Sequence, residues 1–357
     1  MQAFLKTLRW SVGLLFIFSG LIKANDPLGL SYKMQEFFEV WGLSFLDDFS
    51  LAFSILMNTL EIVAGVALLI KFPYKQTLWL LMGLIIFFTF LTGYALFSGK
   101  IKTCGCFGDC IPLTPKVSFI KDLVLLFAIL ILLINHKKVK TNIKKGFGIF
   151  ILIISTTLVG YGQFFVLEHL PFIDCLPYKR GNDIKEQMKM PEDAIPDSVS
   201  IQMSFIKNGK TVSFDINQFP QDFDSTYIYK DRKEVLIQKG NGLTAKIVDF
   251  SLFTVNNLDT TAALMDTQEP YVLLFAGNID SSKPWKHLLT AVKNKHKLVY
   301  LVTADKANAT SLNLDIPILI GDMTMIKTAA RVWPSVVIMN GSTIMEKQSY
   351  KDYLKNR

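Results

Sequence analysis

Thr77-Leu-Trp-Leu-Leu-Met-Gly-Leu-Ile-Ile-Phe-Phe-Thr-Phe-Leu-Thr-Gly-Tyr-Ala-Leu-Phe97 leads into Cys104-Gly-Cys106-Phe-Gly-Asp-Cys110, and Val117–Ile134 follows as a second apolar run. Each run is close to the ~20 residues that a helix needs to cross a hydrocarbon core. Three of the chain's four cysteines therefore fall in a short, glycine-bearing loop at a membrane face. The pattern predicts a helical membrane bundle with thiol or metal chemistry at its rim.

Three further apolar stretches, Leu8–Ile22, Phe49–Ile70 and Gly146–Leu167, raise the predicted spans to five. Lys6 and Arg9 precede the first, as in a signal peptide, but no A-x-A-like site follows and it reads as a retained helix. Of the 357 residues 50% are hydrophobic and 19% charged, and the apolar ones crowd ahead of Leu167. Much of the +8 net charge lies beside the spans, above all in Lys137, Lys138, Lys140, Lys144 and Lys145. Charge so placed reports membrane topology. No nucleic-acid motif accompanies it, so no nucleic-acid partner is expected.

Lys6 and Arg9, Lys71 and Lys75, and the lysine run all fall on one side of a five-span bundle. That side is predicted to be cytoplasmic, with the cysteine loop and everything after Leu167 facing outward. Glu61 lies midway along the second span, where an ionisable group is expensive. It reads as a proton relay or quinone-orienting group, or as a protonated or paired residue that locks helix packing. Lys23, at the outer end of the first span, is expected to snorkel to the interface. The acids and aromatics of Asp26–Asp48 predict an amphipathic segment on the outer surface.

The cysteine loop supports three readings. A redox dithiol needs an attacking thiolate and a nearby resolving thiol, and Lys100, Lys102 and Lys116 would favour the thiolate. A structural staple is the plainer outcome on an oxidising face. A metal site would combine the three loop cysteines with Cys175 or His169, but C-x-C-x3-C is not a usual zinc spacing, and no metal is expected.

Arg9-Trp-Ser-Val-Gly-Leu-Leu-Phe-Ile-Phe-Ser-Gly-Leu-Ile-Lys23 with Asp26-Pro27-Leu28-Gly29 resembles the first helix of DoxX/MauE-type membrane proteins. Glu61, Cys104-Gly-Cys-Phe-Gly-Asp109, Leu113-Thr-Pro and Lys121-Asp122 extend the resemblance over about residues 5–135. It implies a four-helix membrane core and thiol–disulfide traffic or quinone reduction outside the cytoplasm, in a bacterial inner membrane. It also implies Cys104 and Cys106 as the redox pair, with Cys110 and Cys175 a second, resolving or structural pair. The larger architecture is similar to Bacteroidota DoxX-fusion proteins of unassigned function.

Beyond the spans, Ser198–Ile206 and Thr211–Asp215 flank an Asn-Gly turn and predict a β-hairpin. Thr226–Tyr229, Glu234–Gln238 and Lys246–Leu252 are further strand candidates. Tyr271–Phe275, Leu298–Val302 and Ile316–Ile320 alternate with helical segments Trp285–Lys295 and Met323–Arg331. Ser335–Met339 and Thr343–Lys347 then close a hairpin, an order that predicts a mixed α/β sheet. This order resembles the thioredoxin fold, with Val332-Trp333-Pro334-Ser335 at that family's cis-proline and Asp249-Phe250-Ser-Leu252 like the lead-in of TlpA-type domains. The stretch Asn278–Trp285, where thioredoxins carry C-x-x-C, contains no cysteine. His287 and His296 read as surface residues.

The expected organisation is a four-helix core over 1–135, a basic loop with the fifth span over 136–170, and a linker over 171–197. A β-rich part over 198–245 and a thioredoxin-like domain without C-x-x-C over 246–357 complete it. The expected function is redox-associated: electrons pass between quinone and envelope thiols through Cys104 and Cys106, with Glu61 handling protons. The alternative is a non-enzymatic scaffold braced by disulfides, whose outer domain binds an envelope or inner-membrane protein. Membrane lipid is a partner in either case.

Overall fold

The structure, a computed structural model, describes residues 1–101, 105–139, 143–195, 198–238 and 240–355. Cys104, Lys102 and Lys140 lie outside the described residues. The chain divides into two compact units, Met1–Gly181 with Leu252–Arg357, and Asn182–Ser251.

The first unit opens with α1 (Gln2–Asn25), α2 (Pro27–Val40) and a 3-10 turn at Ser44–Phe49. Then come α3 (Ser50–Ile70), α4 (Tyr74–Ser98), α5 (Pro115–Ile134) and α6 (Lys145–Glu168). Among the described residues five helices are long and apolar enough to cross a membrane: α1, α3 with its leading 3-10 turn, α4, α5 and α6. The short α2 occupies the predicted amphipathic segment, started by Pro27 at its first position and capped by Asp26, whose Oδ1 accepts from Gly29 N at 3.0 Å.

Glycine makes the α1–α3 crossing close. A Cβ on Gly65 would lie 2.8 Å from the Gly13 carbonyl oxygen and 2.7 Å from Ile17, and one on Gly20 would lie 3.2 Å from both the Asn58 carbonyl and Glu61. Such contact is how helices associate where lipid removes the hydrophobic drive. Arg9, only 6% exposed, donates to the carbonyls of Leu68 (3.1 Å) and Leu69, closing the C-terminal turn of α3. The outermost helix, α6, is tied on by a polar cluster: Asn58 Nδ2 donates to Gln163 Oε1 at 3.1 Å, and Gln163 Nε2 donates to Thr59 Oγ1 at 3.0 Å.

The second unit contains α7 (Ile184–Met188) and a sheet of β1 (Ser198–Lys207), β2 (Lys210–Asp215) and β3 (Ile228–Gln238) in the order β2-β1-β3. The hairpin turns through Asn208 and Gly209, both at positive φ (52° and 76°), as an Asn-Gly turn requires. Phe205, 6% exposed, meets Phe223, Phe219, Tyr229 and Tyr227 at ring distances of 5.0, 5.9, 6.0 and 6.2 Å. This aromatic cluster supplies the core that so small a sheet needs. Two expectations are corrected here. Thr226–Tyr229 and Glu234–Gln238 are not separate strands, because β3 runs through Lys230-Asp-Arg-Lys233. Lys246–Leu252 forms no strand among the described residues; Leu252 N instead donates to Thr261 Oγ1 at 2.8 Å, and its carbonyl accepts from Thr260 N at 2.9 Å.

The first unit resumes with β4 (Phe253–Thr254), α8 (Thr261–Met265), β5 (Tyr271–Phe275), α9 (Trp285–Lys293) and β6 (Leu298–Thr303). It ends with α10 (Lys306–Ser311), β7 (Ile318–Ile320), α11 (Met323–Ala329), β8 (Ser335–Asn340), β9 (Thr343–Ser349) and α12 (Tyr350–Lys355). The mixed sheet runs β4-β7-β6-β5-β8-β9, with β5, β6 and β7 parallel and β8 and β9 antiparallel. β5 is buried along its whole length, as a central strand covered on both faces must be. The Trp333–Pro334 bond is cis.

Gly65→Ala is expected to cost about 1–3 kcal/mol by overpacking the α1–α3 contact. Gly83→Ala, which meets nothing within 4 Å, is the neutral control. Thermal unfolding in detergent of the full-length variants compares them.

Candidate thiol site

The cysteine loop is shaped by Gly105 and Gly108, at φ +67° and +54°, with Gly108 N donating to Gly105 O at 3.0 Å. Both positions favour a residue without a Cβ. A Cβ on Gly105 would also press on Lys33 at 3.2 Å. Between them the turn places Cys106 against the small apolar cluster of Phe37, Ala95 and Ile101. Phe107 is buried, 6.0 Å from Phe18 in ring distance, with Lys121 Nζ 5.1 Å over its face.

Below the loop, Lys23 and Glu61 form an ion pair at 2% and 1% exposure. Lys23 thus does not snorkel to the interface. A carboxylate across the glycine crossing holds it, because an unpaired charge at that depth is far more expensive than a paired one. Ser19 Oγ lies 3.0 Å from Glu61 Oε2 and 3.1 Å from the carbonyl oxygen of Cys106, so a single hydroxyl serves the carboxylate and the loop backbone. Lys23 Nζ also lies 4.6 Å over the Phe88 ring. A second pair stands beside it: Lys121 Nζ is 2.6 Å from Asp122 Oδ1, and Thr92 Oγ1 donates to Asp122 Oδ2 at 3.0 Å.

Cys106 carries a free thiol. Burial pushes its pKa up; Lys121 and Lys23 pull it down, while Asp122 and Glu61 push it up. The cations that act on it are thus Lys23, which is buried, and Lys121, which is 20% exposed, each paired with a carboxylate, rather than the surface lysines Lys100 and Lys116. Cys110 and Cys175 are joined by a disulfide across 65 residues of sequence. That bond takes two sulfurs out of any four-cysteine metal set, and His169 pairs with Asp352 at 2.6 Å while stacking on Phe165.

Arg331, which no local pattern marks out, follows α11 and is 6% exposed. Its Nε is 2.8 Å from Asp26 Oδ2, its Nη2 2.6 Å from Asp109 Oδ2, and its Nη1 donates to the Lys327 carbonyl at 2.6 Å. The α/β domain thereby grips the cysteine loop one residue before the disulfide. Tyr32 lies under the guanidinium at 5.4 Å; burial pushes its phenol up to about 12, against the pull of the Arg331 charge, so it remains a neutral face.

Lys23→Met alone is expected to cost about 3–5 kcal/mol by stranding Glu61, and Lys23→Met with Glu61→Leu to recover most of it; unfolding in detergent compares the two. In a Cys104→Ser background, alkylation of Cys106 is expected to reach half its limiting rate at a pH above that of an ordinary exposed thiol. Lys121→Gln should move that midpoint further up and Asp122→Asn should move it down, following the sign of each charge.

Comparison with known proteins agrees with this layout. Residues 1–135 match the family described as methylamine utilisation protein MauE, and residues 201–239 match a domain of unknown function, DUF8463. "Protein TlpB" of Flavobacterium psychrophilum is 29% identical over 162 residues, 43% of this chain and 42% of that protein, so less than half of the relative's length is spanned. No solved structure matches the chain. The helices that hold Glu61, Lys23 and the cysteine loop fall inside the matched segment, and residues 1–135 are a MauE-type membrane domain.

Proposed function

We propose that the chain is a thiol-redox protein of the bacterial inner membrane, exchanging disulfides with an envelope protein. Cys106 is the attacking thiol, Cys104 the resolving one, and Glu61 with Lys23 the group that accommodates the proton. The observation that carries this reading is a free thiol under the electrostatic influence of two lysine–carboxylate pairs, one buried and one partly buried. A structural cysteine has no need of such surroundings, and strongly perturbed groups cluster at working sites.

In the exchange, the Cys106 thiolate attacks one sulfur of a partner disulfide, and the other partner sulfur leaves as a thiolate and takes up a proton. Cys104 then attacks Cys106, the mixed disulfide breaks, and a Cys104–Cys106 disulfide remains while the partner has gained two electrons and two protons. Forming a thiolate in this apolar shell adds a negative charge beside Glu61 and Asp122, and the paired lysines Lys23 and Lys121 are the cations that face it. Ser19 is the contact through which the loop backbone and Glu61 move together.

Quinone is the electron carrier that the resemblance implies. The cleft by Cys106 has apolar walls in Leu30, Met34, Phe37, Phe88 and Leu91, but its volume is about 20 Å³, room for a water and not for a ring. The sheet order and the absence of cysteine from Asn278–Trp285 support a thioredoxin-like domain that binds without exchanging. Basic residues at Lys6, Lys71, Lys75 and the lysine run support an N-terminus in the cytoplasm and this domain outside.

The scaffold reading draws on the Cys110–Cys175 brace. Thiol trapping in intact cells separates the two. Cys104→Ser is expected to accumulate a dithiothreitol-sensitive adduct between Cys106 and an envelope protein, and Cys106→Ser to abolish it. Unchanged Cys104 and Cys106 states under both a quinone-pool inhibitor and mild reductant, with no adduct, would leave the scaffold.

A further inference from the structure

The two halves of the Cys110–Cys175 disulfide are each preceded by an aspartate, Asp109 and Asp174. Each aspartate is held by a buried cation of the α/β domain. Arg331 Nη2 is 2.6 Å from Asp109 Oδ2, and Lys347 Nζ, on β9, is 2.8 Å from Asp174 Oδ2. The side chains of Arg331 and Lys347 are 6% and 3% exposed, so neither cation has much water to fall back on.

The segment after α6 is clamped from both sides at the same place. Asn25, closing α1, donates through Nδ2 to the Ile173 carbonyl at 2.8 Å and accepts from Ile173 N at 3.0 Å. From the other side, Lys347 Nζ reaches the Tyr178 carbonyl at 3.3 Å and Gly181 N donates to the β9 carbonyl of Ile344 at 2.7 Å. The cysteine Cα atoms are 4.8 Å apart when bonded. Closing the disulfide therefore holds the backbones of Asp109 and Asp174 at neighbouring positions. The docked domain supplies a cation to each carboxylate.

We propose that the Cys110–Cys175 disulfide is a redox latch for the α/β domain. Closed, it presents Asp109 and Asp174 as one acidic site for Arg331 and Lys347; opened by a dithiol, it lets the carboxylates part and loosens the domain on the bundle. The first thiolate of the dithiol attacks one cysteine sulfur, the S–S bond breaks, and the other cysteine leaves as a thiolate and is protonated. The second thiol of the dithiol then closes its own disulfide and frees the first cysteine, so two electrons and two protons reach Cys110 and Cys175. Both cysteines are partly exposed, which gives the reductant access. Coupling of this kind is reciprocal: whatever the disulfide adds to docking, docking adds to the disulfide.

The test uses the full-length protein in nanodiscs, with peptide-resolved alkylation across a series of reduced-to-oxidised dithiothreitol ratios. Arg331→Gln with Lys347→Gln is expected to open Cys110–Cys175 at a ratio about tenfold lower than the parent, a coupling of about 1.4 kcal/mol. The charge swap Asp174→Lys with Lys347→Asp should return most of what Lys347→Gln alone loses. Independently, Cys110→Ser with Cys175→Ser should raise amide exchange about tenfold in α11, Arg331 and β9 while leaving β5 and β6 unchanged, since 1.4 kcal/mol of lost local stability is a tenfold change. An unshifted dithiothreitol midpoint in the double glutamine variant, or equal exchange with and without the disulfide, overturns the latch. Neither readout depends on Cys106.

Discussion

The pairing of Lys23 with Glu61 constrains the membrane half more than any other contact. Each charge lies where water does not reach, and either one alone would be costly. The pair can form only if α1 and α3 approach closely, which is what Gly13, Gly20 and Gly65 permit. Once the helices are that close, the remaining acceptor of Glu61 falls to Ser19, and the remaining surface of Lys23 to the Phe88 ring. Ser19 in turn fixes the height of the loop through the Cys106 carbonyl. Helix crossing, ion pair and thiol position are thus one linked set.

Asp26 plays the matching part at the outer face. One carboxylate oxygen caps α2 through Gly29 N, and the other takes Arg331. The residue that turns the chain from α1 into α2 is therefore also the residue on which the α/β domain rests. Three carboxylates, Asp26, Asp109 and Asp174, converge on two cations, Arg331 and Lys347. Burial lowers the pKa of Lys347, Asp174 and Asp26 raise it, and Arg331 lowers it, so the two salt-bridge groups feel one another across the cluster. Docking is specified here by charge placed on a few residues, each of which has a second structural duty.

What could be read in the sequence follows physical range. The five spans were legible because apolar length is a property of a continuous stretch, and the hairpin at Asn208-Gly209 because its turn chemistry is local. Glu61 stood out because a carboxylate in mid-span has no innocuous place to go. Lys23 was misread for the same reason in reverse: a lysine at a helix end ordinarily has water within reach, and nothing nearby in the chain says that a carboxylate 38 residues away will take it. Arg331 was invisible, being one arginine in a segment of ordinary polarity whose partners lie 305 and 222 residues distant. β3 was split in two because Lys230-Asp-Arg-Lys233 interrupts the apolar pattern, and an open sheet in which those side chains stay exposed tolerates the interruption.

On the proposed redox reading, the electrostatics around Cys106 have to keep a thiol protected and yet usable. Two cation–carboxylate pairs contribute little net charge, so burial dominates and the neutral thiol is favoured. Yet each pair also holds a lysine that pulls the thiol's pKa down. A thiolate formed at Cys106 would therefore meet a cation already in place. An apolar pocket with the same burial would protect the sulfur equally well, but it would offer no way back to the reactive form. The buried charges are what distinguish a guarded thiol from an inert one.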